Sequence, residues 1–212
     1  MTGLGAFLWE RRGEIAALTA EHVALVAASA LLAVAIGVPL GVAMTRRPRL
    51  ARPVLGAANV VQAIPSLALF GFLIPVPLVG GIGARTAIVA LVLYSLLPIL
   101  RNTYAGIRSV EPSVLEAADG IGMSPAQRRR FVELPLALPV VLAGVRVAVV
   151  VGVGLATIAA AIGAGGLGVL IYRGVATADH RLILAGALPA AALALLLDFL
   201  LGLAERGLGP RR

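Results

Sequence analysis

The chain contains no cysteine and no lysine. The first absence excludes disulfide frameworks, thiolate metal sites and cysteine nucleophiles. The second leaves arginine as the source of all 18 basic side chains, against 10 acidic ones. Charge is scarce altogether: 13% of the 212 residues are charged and 60% are hydrophobic, whereas a soluble domain carries about a quarter charged residues. Aromatics amount to 4% and are scattered, so no aromatic cage for a quaternary ammonium is expected within the chain. No GxxxxGK[ST] loop is present to cradle ATP phosphates. HExxH and GxSxG are missing too, which removes the commonest hydrolase constellations. His22 and His180 stand alone, and no metal or other cofactor is expected.

What the chain has instead is long apolar runs, with a mean hydropathy of +1.01. From Val23 to Met44 there is no charged side chain. As a helix that run reaches about 33 Å, enough to cross a hydrocarbon core of about 30 Å. Arg46, Arg47, Arg49 and Arg52 stop it. A second uncharged stretch, Pro53 to Ala84, is too long for one helix. Pro75, Pro77, Gly80, Gly81 and Gly83 mark a turn inside it. The pattern predicts a second span near Val54–Ile74, a third near Ile82–Leu100, a fourth near Pro139–Ile162 and a fifth near Leu182–Leu203. Each is expected to be helical, because an open strand in lipid leaves its amides unpaired. The first 22 residues carry Glu10, Arg11, Arg12, Glu14 and Glu21, and the following run is too long for a signal-peptide core. The expectation is one all-α membrane domain over residues 1–212, without an internal repeat or a detached soluble domain.

Five spans place the termini on opposite sides. Arg46, Arg47, Arg49, Arg52, Arg101, Arg108, Arg128, Arg129, Arg130, Arg206, Arg211 and Arg212 fall on one side. Arg11, Arg12, Arg85, Arg173 and Arg181 fall on the other. The richer side is predicted to be cytoplasmic, which puts the N-terminus outside and the C-terminus inside. Basic clusters split between apolar runs in this way describe membrane topology, and a nucleic-acid-binding face is excluded.

The large non-membrane segment, residues 101–138, is therefore cytoplasmic. Glu111-Pro112-Ser113 reads as a helix start. Val114, Leu115, Ala118 and Ile121 offer an apolar face, and Gly120 and Gly122 end the helix. Ser124-Pro125 with Gln127 restarts a second short helix, expected nearly at right angles to the first. Within this segment stand Glu116-Ala117-Ala118, then Gly122, then Val132, Leu134 and Pro135. At those spacings they resemble the EAA loop of ABC-importer permeases, with Val132 where isoleucine is commonest. The resemblance implies a type I ABC-importer permease fold, with the short helix inserted into a groove of a cytoplasmic ATPase subunit. Small Ala117 and Ala118 would permit close approach, Glu116 would anchor, and Gly122 would allow a sharp turn.

The resemblance covers nearly the whole chain. Gln62-Ala63-Ile64-Pro65-Ser66, Leu93-Tyr94-Ser95-Leu96-Leu97-Pro98 and Ile162-Gly163-Ala164-Gly165-Gly166-Leu167-Gly168 resemble the osmoprotectant branch of these permeases. That branch implies import of glycine betaine, choline, carnitine or a related compound. It also implies cytoplasmic ATPases, a second permease copy, identical or homologous, and an external substrate-binding protein. Methionine or another small zwitterion is the rival substrate class; a membrane enzyme or self-contained channel is the rival function.

Other features read less singly. Gly163, Gly165 and Gly168 match GxGxxG, but they follow a span instead of a strand; a flexible or tightly packed external loop is expected. Asn59, Gln62 and Ser66 fall on one helical face at i, i+3 and i+7. They read equally as a pathway lining and as an interhelical hydrogen-bond patch. Arg146 and Asp198 are charges inside predicted spans; snorkelling to the nearby interface is expected over a functional role, and a pairing between them stays open.

Overall fold

In hydrocarbon only a helix satisfies its own backbone, and each apolar run is helical in the computed structural model, which describes residues 3–208. The elements are α1 (Leu4–Glu10), α2 (Arg12–Arg46), α3 (Pro48–Ala63), α4 (Ser66–Leu73), α5 (Ala84–Arg108), α6 (Pro112–Gly120), α7 (Pro125–Arg128), α8 (Leu134–Ala159), α9 (Gly168–Ala176) and α10 (His180–Leu208). A π-helical segment, Arg129–Glu133, joins α7 to α8, and a 3-10 turn, Ala160–Ile162, ends α8. Arg211 and Arg212 lie outside the described residues.

Among the described residues, α2, α5, the run Pro125–Ile162 and α10 are each long and apolar enough to cross a membrane. The second predicted span differs from expectation. In place of one helix over Val54–Ile74, α3 and α4 meet at 103°. Pro65 is the cause: it has no N–H to continue the ladder, and it drives Ile64 out of the helical region, to φ −72° and ψ 129°. The pair counts as a fifth span only as a broken one. α2 and α10 overrun both of their predicted ends, α8 begins ahead of Pro139, and α5 absorbs Arg101–Arg108 from the segment read as a loop.

α5 packs between α2 and α8, and α10 lies against α8. Lipid is as apolar as leucine, so close packing rather than water exclusion holds such helices together. Small residues provide it. A Cβ on Gly41 would fall 2.6 Å from Thr103 Cβ, and one on Gly144 would fall 2.6 Å from Asn102 Cβ. Phe70, Leu91, Val153 and Ala156 fill the central core. Leu31, Leu195 and Phe199 are more than 60% exposed on the outside, the arrangement expected of a bundle surrounded by lipid.

Candidate functional site

The site builds from α6 outward. Pro112 sits in its first turn behind Glu111 at the N-cap, where a missing N–H costs nothing. Its C-terminus is a Schellman motif: Met123 N–H donates to the Ala118 carbonyl (3.1 Å) and Gly122 N–H to that of Asp119 (2.9 Å). The motif needs a left-handed residue, and Gly122 supplies φ +81°. A Cβ there would meet nothing within 4 Å, so the glycine is required by the backbone and not by crowding.

The next start signal also holds. Ser124 Oγ accepts from Gln127 N–H (3.4 Å) while Gln127 Oε1 accepts from Ser124 N–H (2.8 Å), closing a capping box. The helix it opens is not the separate short helix expected from sequence. α7 runs through the π segment into α8. The widened turn, in which Leu134 N–H donates to the Arg129 carbonyl, stands just before Pro135. In a regular α-turn the ring of Pro135 would clash with the carbonyl four residues back.

A guanidinium then binds α6 to this long helix. Arg128 reaches Asp119 Oδ2 of α6 at 2.6 Å and Glu133 Oε1 at 3.0 Å. α6 and the run leading into α8 thus share one cation. Glu116 and Ala117 point outward, whereas Ala118 is buried at 5% exposure. Ala118 thus packs within its own chain, and Glu116 and Ala117 are left exposed. The expected apolar face splits likewise: Leu115 is half-buried while Val114 and Ile121 are exposed. Val132 is half-buried, Leu134 packs against the cluster of Ile107, Ala137 and Val141, and Pro135 is exposed.

The polar stripe of the second span is not one face. Asn59 and Gln62 lie on α3, but Ser66 begins α4 beyond the bend. Asn59 Oδ1 accepts from Arg101 (3.0 Å), and Gln62 Nε2 donates to the Tyr94 carbonyl (3.3 Å). Tyr94 Oη in turn donates to the Ile64 carbonyl, which the break at Pro65 has freed. Asn59 and Gln62 are therefore interhelical ties to α5. Tyr94 is the residue sequence reasoning missed; a tyrosine inside an apolar span was the available signal.

Arg146 and Asp198 do not snorkel apart. Nε donates to Asp198 Oδ1 (2.6 Å) and a terminal nitrogen to Oδ2 (2.7 Å), with Glu205 at 3.3 Å. In lipid a bidentate pair neutralises both charges where they stand, which relieves the need to reach water. The glycine loop is tightly packed: Glu21 Oε2 accepts from Gly166 N–H at 3.0 Å, and a Cβ on Gly165 would lie 2.5 Å from that oxygen. No group of three or more His, Asp or Glu side chains converges among the described residues.

The profile of the family described as binding-protein-dependent transport system inner membrane component matches residues 33–212. The chain is 49% identical over 207 residues to the osmoprotectant import permease protein OsmW of Salmonella typhimurium, covering 97% of this chain and 96% of that one. It is 46% identical to the choline transport system permease protein OpuBB of Bacillus subtilis, covering 96% and 93%. Among solved structures, the inward-facing MetNI methionine ABC transporter superposes with a TM-score of 0.80 at 27% identity, over 90% of this chain and 94% of that one. The fold is that of type I ABC-importer permeases. The chain belongs to the family of inner-membrane components of binding-protein-dependent transport systems, as a permease subunit.

Proposed function

We propose that this chain forms half of the pathway of an ATP-driven importer for glycine betaine or a related quaternary-amine osmoprotectant. The observation that carries the coupling role is α6, a helix with an outward Glu116-Ala117 edge and a left-handed stop at Gly122. Cytoplasmic ATPase subunits dock there, and the Arg128 bracket passes their movement to α8. The chain itself hydrolyses no ATP, having no phosphate-binding loop. A second permease copy, identical or homologous, completes the pathway, and an external binding protein recognises the ligand. Residues 1–212 form one permease domain, with its coupling loop at about 101–138.

The orientation is N-terminus outside, C-terminus inside, supported by the arginine distribution. A cysteine at Thr177 should react with an impermeant thiol reagent added outside, and one at Ser109 should not. The opposite labelling would invert the topology and remove the docking role.

The substrate class is supported by relatives named for osmoprotectant and choline transport at 49% and 46% identity. Methionine is supported by a structural neighbour at 27% identity, a weaker ground. In proteoliposomes holding permease, ATPase and binding protein, labelled glycine betaine or choline should accumulate with ATP, and excess methionine should not compete. Competition by methionine with no uptake of either amine would transfer the assignment to the rival class.

A further inference from the structure

On one side of the bundle the ends of α2, α5 and the α7–α8 run enclose a cleft of about 320 Å³, lined by Arg46, Arg108, Arg128, Arg129 and Glu133 together with Ile107. Arg128 is occupied, bridging Asp119 and Glu133, and these are the carboxylates that face it. Arg46, Arg108 and Arg129 have no acidic partner within 4 Å among the described residues. Arg108 rests on Tyr104, with its nitrogen 3.3 Å from the phenol oxygen. Uncompensated guanidinium groups around one cleft repel one another unless an anion sits among them.

The depth of the cleft and the type of cation identify that anion. Arg46 and Arg108 stand in the last turns of α2 and α5, and Arg129 opens the π segment that leads into α8. Arg46 ends the first apolar run, so the cleft it shares with Arg108 and Arg129 opens where that span gives way to polar chain, near the level of phospholipid phosphates. The guanidinium is a planar fork that grips phosphate through paired N–H bonds, which lysine does not do. Ile107, Val110 and Leu115 add apolar wall beside the charges, suited to the glycerol end of a lipid and wasted on a free ion. We propose that this cleft binds the phosphate of an anionic phospholipid at the root of the coupling loop. The site is defined by helix ends, and its occupancy is measured without an ATPase, so it and the docking role of α6 fail separately.

The test is native mass spectrometry of the full chain, released from micelles containing equal amounts of phosphatidylglycerol and phosphatidylcholine. The parental chain should retain phosphatidylglycerol over phosphatidylcholine by at least about tenfold. Arg46→Gln with Arg108→Gln and Arg129→Gln should bring that preference to within about twofold. A control with Arg47→Gln, Arg49→Gln and Arg52→Gln removes the same charge outside the cleft and should keep the preference. Equal loss in both variants would mean diffuse surface charge and overturn the site. Displacement of the lipid by excess inorganic phosphate would overturn the lipid as occupant. Should the triple variant not fold, the parental chain still decides: no preference for phosphatidylglycerol ends the proposal.

Discussion

Gly122→Val should lower ATP-driven uptake by at least about fivefold while the chain stays in the membrane at parental abundance. The residue stands at φ +81° with open space where a side chain would go. The variant therefore meets no steric block; it meets only the cost of holding a β-branched residue in a left-handed conformation, about 1–3 kcal/mol. That cost falls on the Schellman motif that ends α6, and it matches the size of a typical coupling free energy between sites, also about 1–3 kcal/mol. The spans do not depend on this turn, so insertion is spared. Gly122→Asn should retain most of the uptake, since asparagine tolerates the left-handed region. Glu116→Lys should fail like the valine variant, by reversing charge on the exposed edge of α6. Uptake in proteoliposomes, an ATPase pull-down and membrane abundance separate these outcomes. Normal transport by both Gly122→Val and Glu116→Lys would show that α6 is a connector without a docking role.

Asp198→Leu should reduce the folded chain by about an order of magnitude, because it leaves Arg146 unneutralised on a membrane-spanning helix. The pair is bidentate, at 2.6 and 2.7 Å, and joins α8 to α10. Glu205 alone compensates poorly at 3.3 Å. A purely apolar replacement behaves differently. Arg146→Leu with Asp198→Leu removes both charges together and should recover most of the abundance, since lost pairing is offset by lost desolvation. Fluorescence-detected size exclusion in detergent measures the monodisperse fraction. If Asp198→Leu elutes at the parental level, Arg146 finds its compensation elsewhere and the pair is not what secures α10.

The spans were legible because apolar runs of membrane length admit one backbone solution in lipid. The segment 101–138 was legible because its helix start, stop and restart each rest on local chemistry: Pro112, Gly122, and the Ser124–Gln127 box. The misreadings came where one residue interrupts a period or where partners are distant. Pro65 breaks the helix, so projecting Ser66 onto the face of Asn59 and Gln62 failed. The π turn before Pro135 fused two helices expected to be separate. Arg146 and Asp198 lie 52 residues apart, beyond what any helical period relates. The inward turn of Ala118 depends on how α6 packs back onto α7 and the π segment, and spacing alone does not contain it.

The proposed coupling role needs one contact, that of the α6 edge with an ATPase subunit. Since the chain has no cysteine, a single cysteine at Ala117 gives an unambiguous probe. Treated in membranes with a short thiol-to-amine cross-linker, Ala117→Cys should give a permease–ATPase adduct, and Thr177→Cys should give none. An ATPase adduct from Thr177→Cys, with none from Ala117→Cys, would contradict both the docking site and the orientation.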